Sequence, residues 1–240
     1  MDRMKGRVKT MYSNETLKKY NEKLENAIRF YARFPVESLD ICISGGNMKV
    51  GNVPNVSLPP IKTCGNCSAC IHKCYDIKAC MQYKNVMNAR ARNYAILSAN
   101  YELYWKQLRK RLSRMRTRFF RFHVGGDMIS SMYFADMVKT ASMFPHIRFW
   151  TYTKMHGIVT EYVKTNGGSR AEAIPENLSV MFSVWAGKPI DNPYGFPVFY
   201  VYMHGQPAPK GMFKCPSDCK WCIEHGRGCP YGESSCIEEH

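Results

Sequence analysis

Apolar positions recur with helical period through the first half of the chain and with strand period through the second. Residues 14–33, NETLKKYNEKLENAIRFYAR, alternate charged and apolar positions, with Ser13 or Asn14 as N-cap and Pro35 as the stop, which predicts an amphipathic helix. Ser38–Ser44, SLDICIS, reads as a strand running into Gly45-Gly46, with Cys42 as a small core residue inside it. Residues 45–63 form a loop rich in Gly, Asn and Pro. Beyond Cys80 the helical spacing holds for more than thirty positions, predicting two helices that break near Ser98-Ala99-Asn100.

From Phe119 the period changes. Phe119–Val124 reads as a strand ending in Gly125-Gly126-Asp127, Ile129–Phe144 as a helix, Ile147–Thr153 as a strand and residues 155–165 as a shorter helix. Leu178–Trp185 and Pro197–Met203 follow as strands. Strands alternating with helices predict parallel βαβ units in an α/β fold. The expected architecture is a (β/α) barrel of the TIM type, partial or open, with an N-terminal helix; an open doubly wound sheet is the alternative. Residues 1–205 would form the barrel-like domain, including a Cys64–Cys80 insert, and residues 206–240 a Cys-rich tail packed on it. In either architecture function gathers beyond the carboxyl ends of the strands, here marked by His123, Asp127, Thr151, Thr153, Lys154, Ser183, Trp185 and His204.

Composition sharpens this picture in three ways. Apolar content of 45% with 22% charged residues excludes a disordered chain, and no apolar run is long enough to span a bilayer. The opening MDRMKGRVKT is basic but lacks an apolar core behind it, so no secretory signal is read and the cytoplasm is the expected compartment. In a reducing compartment, eleven cysteines are better used on metal than on disulfides. A net charge of +15 favours a polyanionic partner such as nucleic acid. Seven Lys or Arg fall between Lys106 and Arg118, where a solvated helix face is the plainer explanation and nucleic-acid contact would need aromatic platforms nearby.

The cysteines fall into two groups. Cys64, Cys67, Cys70 and Cys74 stand at C-x2-C-x2-C-x3-C spacing, the ligand pattern of an iron–sulfur cubane, with Cys80 close behind and Tyr75 where the ferredoxin pattern has proline. Cys215, Cys219, Cys222, Cys229 and Cys236 form the second group, in a tail with few apolar residues to order it. One or two 4Fe–4S clusters are expected, with zinc on paired knuckles as the lesser alternative. Cys215-x3-Cys219-x2-Cys222, with Trp221 before the third sulfur, is similar to the C-x3-C-x-aromatic-C motif of radical S-adenosylmethionine enzymes, though placed at the opposite end of the chain. That resemblance implies S-adenosylmethionine as a cofactor and Gly125 and Gly126 as cofactor-binding, because Gly125-Gly126-Asp127 resembles the family's GGE turn. The plainer reading of the same turn is a tight strand-to-helix connection with Asp127 as N-cap.

The segments VPNVSLPPIKTC, KCYDIKAC, RFHVGGDMISSMYFADMVKTASMFPHIRFWTYTK and CPSDCKWC, in this order, resemble the phage gene product 88 family over roughly residues 40–225. The resemblance implies a phage protein of an infected or lysogenic host cell, barrel-like and metal-bearing. Its motif positions point to Cys74, His123, Asp127, Lys154, Cys215, Cys219 and Cys222. The functional expectation is an iron–sulfur protein of redox or radical type, with His123, Asp127 and Lys154 as catalytic residues that bind or protonate a small-molecule substrate. A metal-stabilised nucleic-acid-binding module and an electron-transfer module are the alternatives.

Overall fold

The computed structural model describes residues 11–46, 51–65 and 70–239. Helix α1 (Asn14–Tyr31) is followed by the short strands β1 (Ile43–Ser44) and β2 (Asn55–Val56). Three helices come next: α2 (Tyr75–Gln82), α3 (Lys84–Ala99) and α4 (Tyr101–Leu112). Then follow β3 (Phe119–Phe122), α5 (Ser131–Met143), β4 (Arg148–Thr153), α6 (His156–Thr165), α7 (Arg170–Ala173), β5 (Leu178–Trp185) and β6 (Val198–Tyr202). The tail adds β7 (Phe213–Lys214), α8 (Cys219–Glu224) and β8 (Ser235–Glu238).

Local chemistry sets the boundaries. Ser13 caps α1 by accepting from Thr16 N at 3.1 Å, and Asn100 separates α3 from α4 by accepting from Leu103 N at 3.0 Å. Ser130 caps α5, so that helix begins at Ser131, two residues after the Ile129 that apolar spacing alone suggests, and Asp127 is not its cap. The strand expected over Ser38–Ser44 shrinks to Ile43–Ser44. Side-chain amides replace a neighbouring strand there: Ile41 N donates to Gln107 Oε1 at 2.8 Å and Cys42 N to Asn93 Oδ1 at 2.7 Å. Asn93 in turn donates to the Cys42 and Ser57 carbonyls, satisfying backbone that would otherwise be orphaned.

The strands make one eight-stranded sheet in the order β1-β2-β3-β4-β5-β6-β8-β7, parallel throughout except for β1 against β2. Strands β1 and β7 are its two edges, so the sheet is open and the expected barrel is not closed. The tail departs from expectation as well: β8 enters the sheet between β6 and β7.

Each central strand sends alternate side chains to opposite faces. Phe120, Phe122, Phe149, Val180 and Phe182 join Trp105, Leu108, Phe134 and Val159 from the helices in the main core. Trp150, Met181, Tyr152 and Phe199 turn the other way, onto Cys229 and Ile223 of the tail. A third cluster packs α1 on α2 and α3 through Leu17, Tyr20, Leu24, Ile77 and Met87. The sheet thus has a helix-covered face and a tail-covered face. Parallel sheets need cover on both sides, and here a Cys-rich segment supplies the second layer.

Candidate functional site

The site grows from one residue out of pattern. In β3, FFRF, Arg121 occupies a position that the alternation assigns to the tail-covered face, and it pairs in register with Trp150. Its guanidinium lies over the Tyr152 ring, 4.6 Å from the centroid, with Cys219 in electrostatic reach. Burial works against its charge, but Tyr75, Tyr152, Cys219 and Cys229 outweigh that and raise its pKa. Arg121 therefore faces the tail cysteines and also Tyr75, the residue after Cys74.

Cys215, Cys219, Cys222 and Cys229 are free thiols in electrostatic reach of one another. Cys222 is pushed up to about 12 by burial first, then by Cys215, Cys229 and Cys219. Burial is also the largest cause for Cys229, pushed up to about 11, whose sulfur lies 3.7 Å from Ser235 Oγ. The turn joining the first two is tight. Ser217 adopts a left-handed φ of 58° and its N–H donates to Cys215 Sγ at 3.4 Å, while Asp218 caps α8 by accepting from Lys220 N and Trp221 N. Trp221 stacks between Phe213 and His225, which fixes the short helix carrying Cys219 and Cys222. Cys236 sits one residue past Ser235 on β8, so it points to the other side of the sheet from Cys229.

The first cysteine segment lies at the carboxyl ends of the strands. Lys154, at the end of β4, lies in electrostatic reach of Cys70 and Cys64. Burial lowers its pKa, and Cys70, Asp127 and Cys64 together raise it above the ordinary value. Lys73 pairs with Glu239 just beyond β8 at 2.6 Å, and the Tyr75 hydroxyl donates to the Val124 carbonyl. Cys74 precedes α2 and is pushed up to about 12, chiefly by burial. Cys80 turns instead into the α1–α2–α3 cluster, 4.0 Å from Asp76 Oδ2, away from the tail cysteines. Cys67 lies outside the described residues.

The Gly-Gly-Asp turn joins these parts. Asp76 forms a buried pair with Arg90, at 3.0 and 3.2 Å, and a side chain at position 125 would overlap the Asp76 carboxylate. Gly126, at φ 77°, passes against the Leu58 carbonyl and Thr63. Both glycines are thus required by close approach of the protein itself. Asp127 accepts from Met128 N at 2.8 Å and from Lys154 N at 2.9 Å, tying the end of β3 to the end of β4. Burial raises its carboxyl to about 6 against these bonds. His123, at a left-handed φ of 56°, contacts the Tyr133 hydroxyl at 3.0 Å, and Tyr133 meets Tyr104 at 3.0 Å. Burial, then Arg121 and Arg90, lower its pKa to about 3, so it is neutral at ordinary pH. His123 is thereby set in the helix-side core, while Asp127 and Lys154 stand together at the strand ends.

Among the described residues no three His, Cys, Asp or Glu side chains converge on a point suited to a metal ion. The tail thiols are neighbours without ligand geometry. Their chemistry nevertheless suits a soft metal, since sulfur is a soft ligand, and Arg121 supplies positive charge beside Cys219 and Cys229 to offset an anionic cluster. A second observation agrees: Arg121 Nε, Trp150 Nε1 and Trp185 Nε1, all on the tail-covered side by alternation, are buried donors with no acceptor. Arg121, Tyr75 and Tyr152 are the residues that motif reading missed. A lone arginine among the phenylalanines of FFRF was the available signal.

A family model described as Gene product 88 matches residues 15–229, in line with the motif order. No curated protein and no solved structure matches. Nothing in these comparisons supports the likeness to radical S-adenosylmethionine enzymes. Among the described residues no helix is long and apolar enough to cross a membrane.

Proposed function

This chain belongs to the gene product 88 family, and from that premise we propose that it is an iron–sulfur redox protein whose tail cysteines hold the cluster. The observation that carries the proposal is the grouping of Cys215, Cys219, Cys222 and Cys229 within electrostatic reach of one another on the tail-covered face, with the Arg121 guanidinium over Tyr152 beside Cys219 and Cys229. A cluster held there would supply one-electron chemistry. Arg121 offsets the negative charge of the thiolates, and the unpartnered indole N–H groups of Trp150 and Trp185 are donors for an anionic group. Tyr75 reaches the Val124 carbonyl at the end of β3, and Lys154, held in place through its backbone by Asp127, faces Cys70 and Cys64. Lys154 and Asp127 are the pair assigned to bind or protonate a substrate at that end.

The test is iron and acid-labile sulfide analysis after anaerobic reconstitution, with wild type beside Cys219→Ser/Cys222→Ser and Cys64→Ser/Cys70→Ser. Wild type is expected to carry both elements and to absorb broadly in the visible, and the tail variant to lose the absorbance. Retention by the tail variant with loss in the other would move the centre to the first segment. Binding of zinc alone, or of neither element, would refute the proposal.

A further inference from the structure

We infer that the amino-terminal edge of β3 and β4, together with the end of α4, is a docking surface for single-stranded nucleic acid. This edge lies at the opposite end of the strands from Asp127 and Lys154, so it is separate from the proposed redox site.

The charge there is uncompensated. Lys106, Arg109, Lys110, Arg111, Arg114, Arg116 and Arg118 fall within thirteen residues, and no Asp or Glu occurs between Glu102 and Asp127. Of the seven, Arg109 pairs with Asp136 and is partly buried; the other six side chains are exposed and form none of the ion pairs among the described residues. A merely solvated helix face mixes signs, because like charges three and four apart weaken the helix. Lys106, Arg109 and Lys110 repeat one sign at that spacing on α4, and Arg114, Arg116 and Arg118 follow on the connection to β3.

The structure also supplies the aromatic element that a basic run alone lacks. Arg148 N donates to the Arg118 carbonyl at 2.8 Å, which joins the end of the basic run to the start of β4, and Arg148 itself stands opposite Phe119 in register. The Arg148 guanidinium covers the Tyr231 ring, 4.8 Å from its centroid, and Tyr231 meets Phe119 edge-on at 6.3 Å. Both rings are half-buried. A run of exposed cations leading to an arginine stacked on a tyrosine is an arrangement in which the cations track a phosphate backbone and the guanidinium plane, backed by the ring, stacks a base. Of the acids near this edge, Asp136 is engaged by Arg109, Glu176 shares a groove with Arg148, and Asp40 lies between Leu39 and Ile41, whose backbone bonds Gln107 of α4.

Fluorescence anisotropy with the full chain and a labelled oligothymidine of about fifteen nucleotides tests the surface. Binding is expected to weaken with salt. Replacing Arg111, Arg114, Arg116 and Arg118 together by Ala should reduce affinity at least about tenfold and lower the slope of log K against log salt by about 2 to 3. Replacing the same four by Lys should keep the slope, and Tyr231→Leu should weaken binding with the slope unchanged, thermal melting confirming the fold of each variant. Binding indifferent to salt, or undiminished in the fourfold Ala variant, would overturn the inference. Equal affinity for a duplex of the same length, or for anionic vesicles, would overturn the assignment to single strands.

Discussion

The two faces of the sheet are built from the same strands and differ in what covers them and in the charge they enclose. On the helix-covered face, Phe120, Phe122, Phe149, Val180 and Phe182 meet apolar side chains and close a continuous core. One residue away along each strand, the tail-covered face presents Arg121, Trp150, Tyr152 and Ser179 to a segment with four thiols. Burial, at about 25 cal/mol per Å² of apolar surface, accounts for most of the first face, although it too encloses unpartnered atoms at Trp105 Nε1, His123 Nδ1 and Thr151 Oγ1. The second adds a charge, the Arg121 guanidinium, to its unpartnered indole donors, and burial penalises a charge most. The difference teaches that the tail is present for chemistry as well as cover.

The largest effect expected from breaking this contrast lies on the apolar side. Phe149→Ala should cost about 3–5 kcal/mol in denaturant unfolding, since Phe149 is fully buried between Phe120 and Phe122. Whatever fraction stays folded should bind metal as wild type does. Loss of metal in proportion beyond the unfolded fraction would show that the two faces are not independent.

The strand ends come next, through pH. Asp127 is raised from 3.8 to about 6 in the fold, so its contribution is fully present below its unfolded pKa and is lost as pH rises through about 6. Asp127→Asn removes that loss. Relative to wild type, the variant should therefore gain stability between about pH 4 and pH 7, by up to about 3 kcal/mol. His123, lowered to about 3, titrates with the opposite sign but is common to both proteins and drops out of the difference. A difference that stays flat with pH, followed by thermal melting in matched buffers, would contradict the buried position of Asp127.

The smallest effect on stability is expected from the most telling residue. Arg121→Met exchanges a partly buried arginine, its Nε enclosed, for an apolar chain of similar length, and such exchanges are often near neutral, within about 1 kcal/mol. Metal uptake should nonetheless fall, because the cation beside Cys219 is gone. Unchanged uptake with an unchanged fold would reduce Arg121 to a packing residue.

Much of the helix-covered face was legible in the sequence. Period and capping residues located α3, α4 and β3–β6 closely, because burial on one side imposes a regular alternation. Where backbone is satisfied by side chains, as Asn93 and Gln107 do beside Ile41 and Cys42, the strand pattern misled. The tail strands β7 and β8 were missed because a two- or four-residue strand carries no period of its own. Cysteine spacing identified both groups, yet not which thiols meet. That Cys80 turns toward Asp76 and Cys236 away from Cys229 depends on helix packing and strand register, which spacing does not encode. The glycines of Gly-Gly-Asp were visible as a tight turn, but their cause, the Asp76–Arg90 pair beneath Gly125, joins residues far apart in the chain.

The central claim is that the tail-covered face holds a redox-active cluster. Low-temperature electron paramagnetic resonance of the anaerobically reconstituted, dithionite-reduced protein tests it most directly. The account predicts an iron–sulfur signal in wild type that is retained in Cys80→Ser and abolished in Cys222→Ser. A wild-type sample without such a signal and without iron, or a signal undiminished in Cys222→Ser, would contradict it.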